Sequence, residues 1–373
     1  MSRTGGQRQP AFFREVTAAV HGAADQAALR REGFDSAKLI DFSANYSPLG
    51  AAPSVAAALA TVAIDTYPDP RASEICARFA EYHRIDARQV VCGNGSTELI
   101  RLIAQLVLRS GDTALTLGSP FGEYDVATQL TGARLKEVPL TYRGPGAGFS
   151  YSVASLYGAL SEDSPRLCWL CSPHNPTGGA LAPSLVADLV IRFPKTLFVL
   201  DEAYGDLLTE RQWSPALLDA GNLVVLRSLT KYWGLAGLRL GYAIGSLAIA
   251  DALRAALPPW NVNACAQAAG KAALDDPNHY RRTIEVLVAE HKRLMLGLQE
   301  SGWTPEPSAA GFFLVHVGDA AAARRELLLR GCLVRDCTSF GLPNHVRLSP
   351  RRPAENDLLL EAFRAVPHPK AVR

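Results

Sequence analysis

Lys231 stands between hydroxyls and an arginine, in Ser228-Leu-Thr-Lys-Tyr-Trp-Gly-Leu-Ala-Gly-Leu-Arg239. A lysine amine desolvated beside another cation holds its proton less tightly, and the neutral amine condenses with an aldehyde. Ser228 and Thr230 can donate hydrogen bonds to a phosphate, and Arg239 offers the same anion a planar two-pronged clamp. The chemistry legible here is imine formation beside a bound phosphate. A phosphorylated aldehyde cofactor, pyridoxal 5'-phosphate, answers both halves. An arbitrary lysine after a strand is a solvated surface residue, and only these neighbours argue otherwise.

Four further motifs could serve such a cofactor. Gly93-Asn-Gly-Ser-Thr97 precedes an apolar helical pattern, and its glycines permit a tight turn that leaves free N–H groups at the helix start for an anion. Ser172-Pro-His-Asn175-Pro-Thr-Gly178 is a polar elbow after an apolar run, which could equally be a plain turn. Asp201-Glu-Ala-Tyr204 closes another apolar run. Its aspartate can hold a pyridinium proton while Tyr204 and Asn175 bond the ring hydroxyl, although an Asp-Glu pair also serves as an ordinary helix cap. Phe121, in Ser119-Pro-Phe-Gly-Glu-Tyr124, can stack on a flat ring or sit in the core.

Apolar, β-rich runs at 89–92, 113–117, 134–139, 167–171, 196–200, 223–227 and 240–244 alternate with helical patterns, for instance over 96–108. Their strands are apolar throughout rather than at every second residue. The expectation is an α/β fold, a large domain with a mostly parallel, doubly wound sheet covered on both faces. Ligands of such a sheet gather beyond the carboxyl ends of its strands, where all five motifs lie. After Pro258-Pro259 the texture changes to a helix-rich stretch over 264–300, strands at 312–316, 332–335 and 346–348, and helices at 320–330 and 354–365. This reads as a smaller α+β domain. The expected division is 1–52 as an N-terminal segment joining the small domain, 53–258 as the large cofactor-binding domain and 259–373 as the small C-terminal domain. Gly144-Pro-Gly-Ala-Gly148 reads as an exposed loop.

A chain of 373 residues can bury a substantial core. A net charge of +2, with no basic stripe, argues against a nucleic-acid partner. No run approaches the apolar length of a membrane span, and the first ten residues read as a loose start without the apolar core of a secretory signal. Seven scattered cysteines, an odd number, suggest reduced thiols and a cytoplasmic location. Cys168 and Cys171 are spaced as C-x-x-C but lie within an apolar run with no second ligand pair, so they read as buried strand cysteines and no metal is expected.

The order of these motifs along nearly the whole chain resembles the fold-type-I pyridoxal-phosphate enzymes of the aspartate-aminotransferase superfamily. The likeness is most specific at Asn175-Pro-Thr-Gly, Asp201-x-x-Tyr204 and Ser228 to Arg239. The resemblance implies that Lys231 forms the internal aldimine and shuttles the Cα proton, with Asp201 on the pyridine nitrogen and Asn175 and Tyr204 on the ring oxygen. It implies cofactor contacts from Gly95, Ser96, Thr97, Ser228, Thr230 and Arg239, and stacking by Phe121, although Pro120 stands one residue closer to it than usual. It matches Arg347 to an arginine that grips the substrate α-carboxylate. It matches Tyr67 to a tyrosine that reaches the neighbouring subunit's cofactor phosphate, so a homodimer is expected.

The N-terminal segment, His21-Gly-Ala and Asp41-Phe-Ser-Ala-Asn45-Tyr-Ser-Pro, resembles threonine-phosphate decarboxylases, with histidinol-phosphate aminotransferases next. Arg335 matches a second substrate-side arginine common to both groups. Asn45, Tyr46, Ser47, His174 and Asn175 complete the expected substrate side. Departures from the decarboxylase pattern cluster there: His21-Gly-Ala for His-Gly-Gly, Asn45-Tyr46-Ser47 for Asn-Ile-Asn, and Ser172-Pro-His174 for Asn-Pro-Asn. A decarboxylase-like lyase acting on a threonine-phosphate type of substrate is the first expectation. An aminotransferase for an acidic or phosphorylated amino acid is the alternative, followed by a specialised enzyme of β/γ-elimination or replacement. A non-catalytic effector-binding domain is set aside because Lys231 is retained.

Overall fold

The computed structural model describes residues 15–119 and 121–368; the start of the chain and Pro120 lie outside them. A seven-stranded sheet runs in the order Val90–Asn94, Leu240–Ile244, Leu223–Ser228, Leu197–Asp201, Leu167–Cys171, Thr113–Leu117 and Arg134–Val138. Leu240–Ile244 is antiparallel to both of its neighbours, and the other adjacent pairs are parallel.

Successive residues of each central strand enter cores on opposite faces. Leu223 and Val225 join one core, whereas Val224 and Leu226 join the other. This explains why the strands are apolar throughout. It also separates the C-x-x-C pair, because Cys168 faces the first core and Cys171 the second. All seven cysteines are free thiols, and burial pushes the Cys171 thiol up to about 12.

A second, smaller sheet joins Phe313–His316, His345–Leu348 and Arg335–Asp336, all antiparallel. The run expected as one strand at 332–335 is divided. Cys332–Leu333 pairs in parallel with Ile40–Asp41, and only Arg335–Asp336 joins the three-stranded sheet. The N-terminal segment is thereby tied to the C-terminal part, with Phe42 buried among Leu294, Phe313, Val346 and Phe363. The stretch at 264–300 is two helices, Ala264–Leu274 and Pro277–Glu300, broken where Asp276 caps a helix that begins with proline. Ala266, Ala269 and Ala273 pack into the large sheet's core, so its packing extends past Pro258. The 144–148 loop closes a hairpin of Leu140–Tyr142 and Phe149–Tyr151, too short a pair for apolar alternation to register. Among the described residues no helix is long and apolar enough to cross a membrane.

Candidate active site

A cavity of about 430 Å³ lies beyond the carboxyl ends of the parallel strands. Among its lining residues are Asn45, Tyr46, Ser96, Thr97, Phe121, Asn175, Asp201, Tyr204, Thr230, Lys231, Arg239 and Arg347. Residues spread from 45 to 347 thus meet because each follows a strand end or a link between the two sheets.

One wall offers donors that suit a phosphate. Helix Gly95–Val107 begins without a side-chain cap from Asn94, so its first N–H groups remain available to an anion. Gly95 has φ +72°, and a Cβ there would meet the Arg239 guanidinium at 2.7 Å. Arg239 itself takes a left-handed φ of +59°, a conformation that costs a non-glycine residue roughly 1 kcal/mol. It delivers the guanidinium opposite the helix start. Thr230 lines the cavity, and Ser228 backs it through an Oγ–Oγ1 hydrogen bond of 2.7 Å.

Gly241 lets the antiparallel strand pass beneath this wall, since a Cβ on it would lie 2.5 Å from the Ser96 nitrogen and 2.8 Å from the Gly95 carbonyl carbon. Both are backbone atoms and cannot rotate away. Gly241→Ala is expected to cost about 1–3 kcal/mol of stability and to weaken phosphate-dependent cofactor binding. Urea midpoints and cofactor titration check this, and an unchanged pair of values would show that the strand can move aside.

The ring-side residues are connected by direct hydrogen bonds. Asp201 is buried, and its Oδ2 accepts from Tyr124 Oη at 2.7 Å while Oδ1 accepts from the Ala203 N–H at 3.0 Å. Burial pushes its carboxyl above the usual range, opposed by Tyr124, Ala203 and Lys231. The site therefore holds a carboxylate whose charge is under-compensated until a cation, such as a pyridinium, meets it. Lys231 Nζ lies 5.3 Å from the Tyr204 ring centroid, and Tyr204 Oη accepts from Asn45 Nδ2 at 2.8 Å. Asn175 Oδ1 accepts from Arg347 Nη1, and Arg347 Nη2 donates to the Ser43 carbonyl at 2.8 Å. The Arg347 Nε is buried without a partner among the described residues. The donor set thus fits a phosphorylated pyridine aldehyde, with an anion-binding arginine close by.

Besides Gly95 and Ser228, which back the phosphate-side wall, four expected residues lie off the cavity. Ser47 donates to the Gly50 carbonyl at 3.0 Å, shaping a turn rather than a substrate contact. His174 bonds Thr177 inside its own elbow at 2.9 Å, and burial lowers its ring to about 4, so it is neutral there. Arg335 donates to the Val20 and His21 carbonyls and to Ser339, behind the wall rather than on it. Tyr67 is 78% exposed and stacks on Trp260 with centroids 4.4 Å apart. Tyr46, by contrast, does line the cavity, with the Arg351 guanidinium 5.8 Å from its ring.

Sequence reasoning missed three contributors. Tyr124, three residues past Phe121, orients Asp201 and stacks on Trp169 at 5.0 Å. Glu123 lines the cavity beside it. Arg227 bridges buried Glu202, at 3.0 Å, and Asp206, joining the strand ends that carry Asp201 and Ser228. For Arg227 the available signal was a charge directly before Ser228; Glu123 and Tyr124 carried none. Among the described residues no group of three or more His, Cys, Asp or Glu is arranged to hold a metal ion.

Residues 37–363 match the profile of the family described as Aminotransferase class I and II. The chain is 38% identical over 333 residues to a histidinol-phosphate aminotransferase of Symbiobacterium thermophilum, covering 88% of this chain and 90% of that one. Its fold is similar to a histidinol-phosphate aminotransferase from Sinorhizobium meliloti solved in complex with pyridoxal-5'-phosphate, with a TM-score of 0.82 and 26% identity. That likeness covers 92% of this chain and 94% of the other. It is also similar to L-threonine-O-3-phosphate decarboxylase from Porphyromonas gingivalis, with a TM-score of 0.75 and 28% identity over 86% of this chain and 97% of that one.

Proposed function

The chain belongs to the aminotransferase class I and II family, and from that premise we propose that it moves the amino group of a phosphorylated primary amine of the histidinol-phosphate type to a 2-oxo acid, with pyridoxal phosphate as its cofactor. The observation that carries this reading is one cavity holding both Lys231 and Arg347, in a chain 38% identical to a histidinol-phosphate aminotransferase along nearly its whole length. The decarboxylase-like lyase expected first from the N-terminal motifs is less favoured by these relatives. Moreover, Ser47 and His174, two of the departures that made the substrate side look altered, lie off the cavity, and Ser172 serves its own loop by accepting from the Leu181 N–H at 2.9 Å.

When bound, pyridoxal phosphate supplies an aldehyde that exchanges amines and a ring that takes up the electron pair left at Cα. Gly95, Ser96, Thr97, Thr230 and Arg239 would hold its phosphate, backed by Ser228. Phe121 would lie against its ring, with Asn175 and Tyr204 on the ring oxygen. Asp201 would hold a proton on the ring nitrogen, since burial leaves its carboxylate under-compensated despite Tyr124, Ala203 and Lys231. Lys231 Nζ would anchor the aldehyde and, as a free amine, would be the base that moves the substrate Cα proton. Arg347 fixes the substrate through its anionic group, which sets the Cα–H bond to be broken. Arg347→Lys keeps the charge and loses the fork, so KM is expected to rise about 10- to 100-fold with a smaller change in kcat; steady-state kinetics checks this.

The protein is proposed to work in the cytoplasm as a homodimer. The exposed Tyr67–Trp260 stack and the neighbouring exposed Ile64 provide apolar surface for a second copy, from which Tyr67 would reach the partner's cofactor phosphate. The reaction is tested with loaded enzyme, histidinol phosphate and 2-oxoglutarate, read by mass spectrometry. Glutamate formed in step with loss of the amine is the expected result. Carbon dioxide released from O-phosphothreonine without an amino acceptor would instead support the lyase reading, and release of a side-chain group would support elimination or replacement.

A further inference from the structure

The charged groups lining the cavity include three cations, Lys231, Arg239 and Arg347, and two carboxylates, Asp201 and Glu123. Asp201 has a task on the cofactor side, whereas Glu123 has none in the chemistry above. It sits in the first turn of helix Gly122–Thr131 and is only 4% exposed. Its Oε2 accepts twice from Arg101, from Nε at 3.1 Å and Nη2 at 2.9 Å, which fixes the plane of the carboxylate. Its Oε1 accepts from Nε2 of His21 at 2.9 Å, and the His21 ring lies beside Phe121 with centroids 5.8 Å apart. The chain therefore seats an imidazole of its own at the cavity, between a carboxylate and an aromatic ring.

That imidazole is replaceable. Residues 15–25 form no helix or strand, and the His21 side chain is half exposed. The main chain is held separately: Arg335 donates to the Val20 and His21 carbonyls at 2.9 and 3.0 Å, and the Ala23 N–H donates to Ser43 Oγ at 3.1 Å. The ring can swing off Glu123 while these backbone anchors stay in place.

We propose that Glu123 Oε1 is the recognition point for the ring N–H of the substrate's imidazole, and that the His21 ring keeps this place until substrate displaces it. The inference rests on the histidinol-phosphate reading and names the residue that distinguishes this substrate from amines without a ring. A buried carboxylate oxygen left without a donor is costly. Exchanging one imidazole for another avoids that cost, whereas a ringless amine such as glutamate leaves His21 where it is. A site built around an N–H rejects analogues that lack it much more strongly than an apolar pocket does.

The test uses the loaded full-length enzyme and compares amino transfer from histidinol phosphate with the half-reaction of glutamate. In Glu123→Gln, kcat/KM for histidinol phosphate is expected to fall about 10- to 100-fold relative to that for glutamate, the weight of a hydrogen bond to a charged group. In His21→Ala the internal competitor is gone, so KM for histidinol phosphate is expected to drop roughly 2- to 10-fold, a direction that a merely structural loss does not produce. Equal losses for both substrates in Glu123→Gln, or a raised KM in His21→Ala, overturn the proposal while the aminotransferase reading stands. If the unaltered enzyme transfers no amino group from histidinol phosphate, that reading fails and the proposal falls with it. Should Glu123→Gln not fold, judged by its melting curve, the direction of the His21→Ala change decides alone.

Discussion

Replacing Lys231 by alanine is expected to lower amino-transfer turnover by about 10⁴-fold or more, because in the proposed mechanism one residue both anchors the aldehyde and moves the Cα proton. A positioned general base alone contributes about 10²- to 10⁴-fold, and loss of the covalent anchor adds to it. The fold should survive. Lys231 follows the strand Leu223–Ser228 without belonging to it, and its amine faces the cavity near the Tyr204 ring rather than a core. The variant should therefore keep its melting temperature within a few degrees. It should still bind pyridoxal phosphate through the phosphate wall, yet show no visible band that borohydride bleaches. A variant with substantial turnover would move the base to another residue.

Asp201→Asn is expected to act in opposite directions on activity and on stability. Without a carboxylate against the ring nitrogen, turnover should fall on the order of 10²- to 10³-fold, the scale of losing one preorganised charge partner. Stability of the cofactor-free chain should rise at neutral pH. Burial raises the folded-state pKa of Asp201 above its ordinary value, so the folded chain binds its proton more tightly than the unfolded chain does. The stability held below the ordinary carboxylate range is accordingly lost as pH rises through the raised folded value. Asparagine carries no charge and escapes that loss, while Tyr124 Oη and the Ala203 N–H still find partners on it. Urea midpoints of the cofactor-free proteins at neutral and acidic pH should diverge at neutral pH and converge in acid. A less stable variant at neutral pH would mean that Asp201 is already well paired without a cofactor.

The sheet was legible because its central strands are apolar on both faces, and several of their ends carry or precede a glycine, asparagine, aspartate or lysine motif. The convergence of the proposed cofactor residues was legible for the same reason: Gly95, Asn175, Asp201 and Lys231 all end or follow strands that run in one direction, and topology brings such ends together. Residues joined by long-range packing were less so. Arg335 looks like a free anion clamp as a sequence, yet in the fold its Nη1 and Nη2 donate to the His21 and Val20 carbonyls. Ser47 and His174 are polar residues in the right segments, but local loops engage the Ser47 hydroxyl and His174 Nδ1, and neither residue lines the cavity. Tyr124 and Glu123 were passed over because a helix beginning just after an aromatic gives no hint that its first turn faces a cavity. The lyase expected from the N-terminal motifs is less favoured by the whole-chain likeness, since the torsion about Cα that selects the reaction has no sequence signature.

The most direct test of the central claim is a peptide map of the unaltered protein after incubation with pyridoxal phosphate and reduction by borohydride. The account predicts a single stoichiometric adduct, located by tandem mass spectrometry on Lys231. An adduct on another lysine, or none while the protein remains folded, would contradict it.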